Sequence, residues 1–378
     1  MSTKKKVKIA LTGFENGHCN ALYLGMLVDP DVEIVAVSFT PGSKSVYYGR
    51  ITKEMFQGVD IFYNVEEMLN VHPEIEACVL GSSNRRHMEE FRLCAERGIH
   101  VLSMKAPTYD IDEYNEMIRL AKENNLVVHV ELQMRWMASI QRLRDIIQSG
   151  CLGEIRSFTA YNYSHNPMNW ATWLDIPEEI YGKRIPIRTG SDIFRGGALS
   201  DHPHIFDLVR YLFKSDFDTV YAEAAPNMRD FNETEDLVYI IGKLQNGIIF
   251  SLDPSYANRE HDDPRVKKNY MRNISRYPRP VQVEVQITGS KGTVYSDCFG
   301  TECVETIHPE NQRYSVLSRS LDIDDQRRIF IREFIAEIRS GSNPSLGPFE
   351  DHKKTIMGMN AAYDSIYSGK PIKLEADS

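Results

Sequence analysis

Short, continuously apolar runs alternate with amphipathic stretches along the first third of the chain. The strand-like runs cover residues 7–11, 33–38, 77–81, 100–103 and 126–130, and the helix-like stretches between them cover 21–28, 85–97 and 110–123. Strands that are apolar throughout are typical of parallel sheets, because helices cover both faces of such a sheet. The alternation therefore predicts an α/β domain with a doubly wound parallel sheet over residues 1–132.

A different pattern begins near residue 133. Runs in which apolar and polar residues alternate follow one another at 155–163, 219–225, 237–241, 248–252, 281–287 and 293–295. This period of two predicts a large, mainly antiparallel open sheet. Helical patterns at 322–338 and 350–368 complete an α+β domain over 133–378, and we expect the last helix to pack back toward the first domain. Two domains also suit 378 residues, which is more than one core usually supports.

Composition disfavours several classes of protein. The net charge of −9 argues against general nucleic-acid binding, and no apolar run approaches the roughly 18 residues of a membrane span. The apolar segment after the first lysines is too short for a secretory signal. The six cysteines include no C-x-x-C pair, which predicts free thiols in a reducing compartment. We therefore expect a cytoplasmic protein with neither a membrane nor a nucleic-acid partner.

The carboxyl ends of the predicted parallel strands form an edge where open α/β sheets bind ligands. This edge comprises residues 13–18, 38–40, 82–84 and 104–105. A dinucleotide fingerprint would read G-x-G-x-x-G, but Glu15 takes the place of the second glycine. The second strand ends in Ser38-Phe39-Thr40 without an acid for the ribose hydroxyls, so a 2′-phosphate would be tolerated. The edge predicts a Rossmann-type nucleotide site, with an ordinary polar loop as the alternative.

Residues 195–213 combine a glycine turn with titratable side chains at the start of a predicted helix. Pro203 suits a first helical turn, and apolar residues recur after it at helical spacing. Asp201, His204 and Asp207 are spaced three apart and would share a helix face. An imidazole beside carboxylates suits proton transfer near neutral pH. A capped amphipathic helix with a polar first turn is the structural alternative.

Two polar segments of the second half are further candidates for ligand contacts. Residues 161–173 mix aromatic rings with amide, hydroxyl and imidazole groups, which suits stacking on a polyol and hydrogen bonding to it. Residues 259–280 carry seven basic and three acidic side chains in an acidic chain, which suits an anionic substrate group or a subunit contact. A surface loop is the alternative for each segment.

Short motifs follow one another along nearly the whole chain. They are Ser83-Asn84-Arg-Arg-His87, Ala95–Leu102, Met104-Lys105-Ala-Pro, Gln133-Met-Arg135-Trp136, Ser149–Ile155, Gly196–Asp207, Thr288–Thr293 and Gly369-Lys-Pro371. In this order they resemble the glucose-fructose oxidoreductase / inositol dehydrogenase (Gfo/Idh/MocA) family of nicotinamide-dependent oxidoreductases. The resemblance implies a first domain that binds NAD or NADP. It also implies a second domain whose open sheet supplies the substrate face and commonly an oligomer contact, so we expect a homo-oligomer, either a dimer or a tetramer.

The resemblance also implies roles for individual residues. The lysine of the family's Glu-Lys-Pro segment falls on Lys105, although Met104 and Ala106 flank it here. His204 would exchange the hydroxyl proton, Lys105 would stabilise charge on that oxygen, and Asp201 would orient substrate or imidazole. The residues expected to bind the cofactor are Gly13, Phe14, Glu15, Gly17, His18, Ser38, Thr40, Ser83, Asn84, His87, Lys105 and Arg135. Those expected to bind the substrate are Lys105, Tyr163, Trp173, Arg188, Asp201 and His204.

The acid-base segment departs from the family pattern in its spacing. The family's aspartate usually precedes its histidine by four residues, whereas Asp201 and His204 are three apart. His202 and Asp207 are therefore alternatives for a catalytic position. The two histidines have no clear third ligand, so we predict no metal site.

These residues predict an NAD(P)-dependent oxidoreductase that transfers hydride to or from a secondary hydroxyl or keto carbon of a sugar, sugar derivative or cyclitol. One alternative is a redox-assisted lyase or glycosidase, whose tightly bound NAD is recycled and whose NAD(P)H is not released. Another alternative is a nucleotide-sensing regulator with the same fold. The incomplete glycine fingerprint of the loop after the first strand favours this alternative. Lys105, Asp201 and His204 argue against the regulator, because a sensor needs no proton acceptor.

Overall fold

The computed structural model of the protein describes residues 5–14, 17–40, 53–164, 197–228, 235–257, 282–298, 302–308, 311–316, 323–341 and 347–375. The described residues form two compact units. The first holds those up to Gln133 together with those from Asp322 to Lys353, and the second holds the rest. The predicted domain boundary at 132/133 lies next to Gln133, where the chain passes from the first unit to the second. The prediction placed residues 322–353 in the second domain, whereas the structure places them in the first unit.

The first unit contains a parallel sheet, as the alternating apolar runs predict. Its strands are β1 (Val7–Thr12), β2 (Val32–Ser38), β3 (Asp60–Phe62), β4 (Ala77–Leu80), β5 (His100–Ser103) and β6 (Val128–Val130). Their order across the sheet is β3-β2-β1-β4-β5-β6, and every neighbouring pair is parallel. All residues of β4 and β6 are buried, which explains why these strands are apolar without alternation.

Nine helices are described in the two units together. They are α1 (Gly17–Leu27), α2 (Val65–Val71), α3 (His87–Ala95), α4 (Ile111–Glu123), α5 (Ala138–Gln148), α6 (Ala198–Asp201), α7 (Pro203–Phe213), α8 (Ile323–Ser340) and α9 (Gly347–Ser368). Asp110 caps α4 by accepting hydrogen bonds from the backbone N–H groups of Asp112 and Glu113. Helix α8 packs against α1, so its segment belongs to the first unit. Within the described ranges, every helix is too short or too polar to cross a membrane.

The second unit contains a mixed, mostly antiparallel sheet. Its strands are β7 (Ile155–Tyr163), β8 (Phe217–Ala224), β9 (Val238–Leu244), β10 (Ile249–Asp253), β11 (Gln282–Gly289), β12 (Thr293–Asp297), β13 (Glu302–His308), β14 (Asn311–Val316) and β15 (Ile372–Lys373). They lie in the order β14-β13-β12-β11-β7-β10-β9-β8-β15, and only the β7–β10 pair is parallel among these described strands. The predicted open sheet is confirmed.

The two faces of this second sheet differ in exposure. Along β7, Phe158, Ala160 and Asn162 are buried and alternate with less buried residues. Helix α7 packs against β7 and β10 on the buried face, and α5 packs against β12. The opposite face leaves Ile241 and Ile249 more than half exposed. This asymmetry explains the period of two in the sequence.

Candidate active site

The turn after β1 ties the ends of the first two strands together. Gly13 has a φ of 59°, a left-handed conformation that favours glycine. Its backbone N–H donates to the Ser38 carbonyl oxygen over 2.7 Å. Phe14 is buried, with its ring stacked on Phe39 at 5.2 Å and edge-on to Tyr23 at 5.6 Å. Gly13 therefore shapes the predicted cofactor edge, whereas Phe14 packs in an aromatic cluster beneath it.

The first turn of α1 carries an imidazole that is held by a buried carboxylate. Gly17 begins the helix, and His18 Nδ1 lies 2.9 Å from Glu131 Oε2. The amide nitrogen of Gln133 lies 3.4 Å from the same His18 atom. The N-terminus of a helix attracts anions. This arrangement suits the pyrophosphate of a dinucleotide.

A second buried carboxylate joins the turns that follow β1 and β4. The hydroxyls of Thr12 and Ser82 both donate to Glu90 Oε2, over 2.5 and 2.8 Å. The backbone N–H of Gly81 donates to the Thr12 carbonyl oxygen over 2.8 Å, and a Cβ at Gly81 would come within 2.4 Å of Cys19 Sγ. Only glycine lets α1 approach the end of β4 this closely. Sequence reasoning missed Glu90 and Glu131, because Glu90 is 78 residues from Thr12 and Glu131 is 113 residues from His18.

His87 joins the turn after β4 to the loop after β5. Its ring is fully buried, with Nδ1 3.0 Å from the Pro107 carbonyl oxygen and Nε2 3.1 Å from that of Ser82. Burial lowers the pKa of His87 to about 4, because desolvation disfavours the imidazolium. The ring is therefore neutral at pH 7 and donates one N–H to a main-chain carbonyl. Its observed contacts are structural, and its predicted cofactor role stays a prediction.

Lys105 follows β5 in a loop that Asn84 braces. The Asn84 side-chain amide donates to the carbonyl oxygen of Ala106. The side chains of Lys105 and Asn84 are both buried, and the Lys105–Ala106 peptide bond is cis. The amide thus fixes the backbone directly after the lysine. This is the position at the carboxyl end of a strand that the sequence predicts for Lys105.

The edge of the first sheet fits a dinucleotide. Ser83 Oγ and Gln133 Oε1 are buried and have no hydrogen-bond partner among the described residues, so each is suited to a polar ligand. Ser38 is buried at the end of β2, and Thr40 follows it half-buried. No carboxylate occurs in this short stretch to bind a ribose 2′-hydroxyl.

In the second unit, the predicted helix with Pro203 in its first turn is α7, and the short helix α6 precedes it. The prediction that Asp201 shares one helix face with His204 and Asp207 is wrong, because His202 leaves the helical conformation between α6 and α7, with φ −114° and ψ 55°. The physical reason is Pro203, whose ring disfavours the helical conformation of the preceding residue. Asp201 therefore ends α6, and His204 lies in the first turn of α7.

Glu235 holds the start of α6. Its backbone carbonyl accepts from the Ala198 N–H over 3.0 Å, and its Oε1 accepts from the Leu199 N–H over 3.2 Å. Tyr363 donates its hydroxyl to the same Oε1 over 2.9 Å. A Cβ at Gly197 would lie 2.0 Å from Glu235 Oε1, so any larger residue would displace this carboxylate from the start of α6. Sequence reasoning recognised the glycine turn but not the carboxylate that it accommodates.

Asp201 and His202 belong to a buried hydrogen-bond network. The Tyr256 hydroxyl donates to Asp201 Oδ2 over 3.2 Å. His202 Nδ1 lies 2.8 Å from the Ala198 carbonyl oxygen, so this nitrogen carries the proton, and Nε2 lies 3.0 Å from Ser164 Oγ. His202 Nε2 is also 3.8 Å from Asp201 Oδ2. The His202 ring is thus engaged by the fold at both nitrogens.

Asp207 and Arg135 form a bidentate ion pair. Arg135 Nε and Nη2 donate to the two Asp207 carboxylate oxygens over 2.7 and 2.5 Å. Asp207 is buried, and the Arg135 side chain is 12% exposed, with its guanidinium 4.9 Å above the Tyr211 ring. The structure gives both residues a packing role. Cofactor binding by Arg135 and a catalytic role for Asp207 stay untested predictions.

Tyr163 lies at the end of β7 and donates its hydroxyl to Asp253 Oδ2 over 2.8 Å. Ser255 donates to the other Asp253 oxygen. Burial raises the pKa of Asp253, while these two hydroxyls oppose the shift. Tyr163 is thus bound within the second unit, and contact with a substrate stays a prediction.

Several predicted positions lie outside the described residues. They are Glu15, Trp173, Arg188, residues 165–173 of the aromatic polar segment and the basic segment 259–280. Their roles stay as the sequence predicts them.

The parallel sheet with its polar carboxyl edge defines a Rossmann-type, nucleotide-binding class of fold, and comparison with known proteins gives the family. The model of an oxidoreductase family with an NAD-binding Rossmann fold matches residues 30–132. The model of the GFO/IDH/MocA C-terminal domain matches residues 140–295. The chain therefore belongs to the Gfo/Idh/MocA family of oxidoreductases, and its cofactor is NAD or NADP.

Relatives and solved structures resemble the chain over most of its length. Myo-inositol 2-dehydrogenase of Thermotoga maritima is 20% identical over 328 residues, covering 84% of this chain and 85% of the relative. An inositol dehydrogenase homolog from Azotobacter vinelandii, complexed with NADH and myo-inositol, has a TM-score of 0.77 at 13% identity and covers 98% of each chain. An oxidoreductase from Agrobacterium radiobacter, in complex with NAD+, L-tartaric acid and magnesium, has a TM-score of 0.72 at 18% identity and 98% coverage of each chain. These structural likenesses show a shared fold.

Proposed function

We propose that this oxidoreductase transfers hydride between NAD or NADP and a secondary hydroxyl or keto carbon of a sugar, sugar derivative or cyclitol. The observation that carries the proposal is the α6–α7 segment, which presents a buried carboxylate and a buried imidazole from two short, braced helices. The names of the Thermotoga maritima relative and of the Azotobacter vinelandii structure support a cyclitol substrate.

In this proposal each polar residue handles a proton or a charge. His204 takes the hydroxyl proton during oxidation and returns it during reduction. Lys105 stabilises negative charge on the same oxygen, and Asp201 orients the substrate or the imidazole. NAD(P), when bound, accepts or supplies the hydride.

The acid-base role falls on His204 through the family resemblance, and His202 is the alternative. Both histidines are buried. Both ring nitrogens of His202 contact groups of the fold, so proton exchange at His202 would break its contact with Ser164 or with the Ala198 carbonyl.

The residues of the first unit that support cofactor binding are its glycine turn, the His18–Glu131 pair and the buried Ser83 hydroxyl. The missing acid after β2 makes the ribose end compatible with both NAD and NADP. Binding of NAD and binding of NADP therefore need separate measurements.

We also propose that the protein is a homo-oligomer that pairs through the exposed face of its second sheet. Tyr239, Ile241 and Ile249 are 54%, 54% and 59% exposed on neighbouring strands. Contiguous apolar surface of this kind is typical of protein interfaces. A second copy of the chain offers a matching face.

The test combines binding with turnover. Binding of NAD, NADP or their reduced forms should raise the unfolding midpoint in a thermal-shift assay, because a ligand that binds only the folded state stabilises it. Absorbance of NAD(P)H is then followed with a panel of inositols, sugars and sugar derivatives. Product formation without NAD(P)H release would favour the recycled-cofactor lyase. If Lys105→Ala still responds to the ligand and neither this variant nor the wild type turns over a substrate, the result would favour the regulator.

A further inference from the structure

Tyr256 occupies a fully buried position directly beneath Asp201. Its hydroxyl lies 3.2 Å from Asp201 Oδ2 and 3.3 Å from the Gly197 carbonyl oxygen. Its ring packs edge-on against the His202 imidazole at 5.4 Å, and its backbone N–H donates to the Asp236 carbonyl over 2.7 Å. The ring is therefore fixed from both its face and its backbone.

The phenol of Tyr256 stays a hydrogen-bond donor throughout the working pH range. Burial raises its pKa well above the usual value, and the nearby Asp201 and Glu235 carboxylates act in the same direction. The hydroxyl has one proton and two acceptors within reach. An ionised carboxylate accepts a stronger hydrogen bond than a main-chain carbonyl, so the proton goes to Asp201.

His202 cannot replace Tyr256 in this role. Its Nδ1 proton is directed to the Ala198 carbonyl at 2.8 Å, with the Pro254 carbonyl at 3.1 Å from the same atom. Its Nε2 is 3.8 Å from Asp201 Oδ2, which is beyond hydrogen-bond distance. The Tyr256 phenol therefore restrains the direction of the Asp201 carboxylate in a way that His202 does not.

We propose that Tyr256 is a positioning residue that sets the orientation of the Asp201 carboxylate for catalysis. The inference rests on the proposed hydride transfer, in which Asp201 orients the substrate or the imidazole. In this role Tyr256 acts through Asp201.

The chain offers a matched control in Tyr114. This tyrosine is also buried, but its hydroxyl donates to the Phe349 carbonyl oxygen over 2.9 Å in the first unit. Tyr256→Phe and Tyr114→Phe each remove one buried, hydrogen-bonded hydroxyl. They share the cost of losing such a bond and differ in whether Asp201 loses a donor.

The experiment measures kcat, KM for the best cyclitol or sugar of the panel, and Kd for NAD(P) in both variants. We expect Tyr256→Phe to lower kcat/KM about tenfold, the usual worth of a hydrogen bond to a charged group. Kd for the cofactor should not change, and Tyr114→Phe should stay within about twofold of the wild type. Equal losses in the two variants, or a normal kcat/KM in Tyr256→Phe, would overturn the proposal.

Two further measurements separate this inference from the proposed function. In an Asp201→Ala background, Tyr256→Phe should have no additional effect on kcat/KM, because the partner is already absent; additive losses would contradict the inference. Crystal structures of the wild type and Tyr256→Phe should show the Asp201 carboxylate turned to a different orientation in the variant. An unchanged carboxylate overturns the inference even if no substrate of the panel is turned over, whereas absent turnover alone tells against the proposed function.

Discussion

Two regions of the protein use their buried polar side chains differently. In the loops after β4 and β5 of the first unit, Asn84 and His87 contact main-chain carbonyl oxygens, so they fix the shape of these loops. Around α7 in the second unit, Arg135 binds Asp207 and Tyr256 contacts Asp201, so side chains hold the carboxylates. The first set of contacts fixes the course of the backbone, and the second fixes the direction of carboxylate groups.

The difference predicts how each unit fails. Loss of a neutral residue that binds backbone changes stability and its dependence on pH. Loss of one member of a charged pair leaves a buried charge without compensation, which costs more free energy. The predictions below test this contrast, from the largest expected effect to the smallest.

Replacing Arg135 with Met should lower the free energy of unfolding by about 3 to 5 kcal/mol, because it leaves the buried Asp207 carboxylate unpaired. Denaturant unfolding measures the loss. Adding Asp207→Asn to the same variant should recover part of it. Unchanged stability with weakened NAD(P) binding would instead support the predicted cofactor role of Arg135.

His87 should make stability depend on pH. Its pKa is lowered to about 4 in the folded protein from an ordinary 6.5, so the unfolded chain binds a proton first as the pH falls. The contribution is fully present above about pH 6.5 and is lost progressively toward pH 4, by about 3 kcal/mol in all. Unfolding free energies of wild type and His87→Asn, measured from pH 7 to pH 4, should therefore converge. Parallel curves would show that burial of the imidazole has no such effect.

His204→Ala should lower kcat by about 100-fold or more, which is the usual worth of a positioned base and corresponds to about 2.7 kcal/mol. The rate of NAD(P)H formation from the best substrate measures it. His202→Asn is the matched comparison, and we expect it to lower the unfolding midpoint because it removes contacts with Ala198 and Ser164. A near-normal rate in His204→Ala would move the catalytic assignment to His202.

Ile241→Glu should dissociate the oligomer while changing the free energy of unfolding by no more than about 0.5 kcal/mol, because the side chain is 54% exposed. Light scattering gives the mass of the assembly. Val71→Glu is a control on the first unit, where this apolar side chain is 57% exposed. A wild-type protein that is already monomeric would contradict the proposed interface.

The sequence predicted most of the architecture because hydrophobic periodicity reports burial. Continuous apolar runs gave five of the six parallel strands, and β3 was missed because its three residues are partly exposed. Alternation gave β7 to β12, whereas β13 and β14 are polar and carry little of this signal. The closing helices α8 and α9 lie where their apolar spacing predicts.

The partners of the site residues could not be predicted in this way. Asp201 and Tyr256 are 55 residues apart, and Arg135 and Asp207 are 72 apart. Periodicity indicates that a side chain is buried, but it does not say which other buried group it meets. Glu131 and Glu235 were missed for the same reason, since each braces a distant turn.

By itself, the sequence determined the two kinds of sheet, the glycine turn after β1, the position of Lys105 and the presence of a titratable segment around Asp201 and His204. These features follow from local patterns and from the motifs of the family. Only the tertiary structure decided that Pro203 divides this segment into two helices and that His202 is bound within the fold. It also decided that Tyr256 reaches Asp201, because a hydrogen bond depends on distance in space and not on separation along the chain.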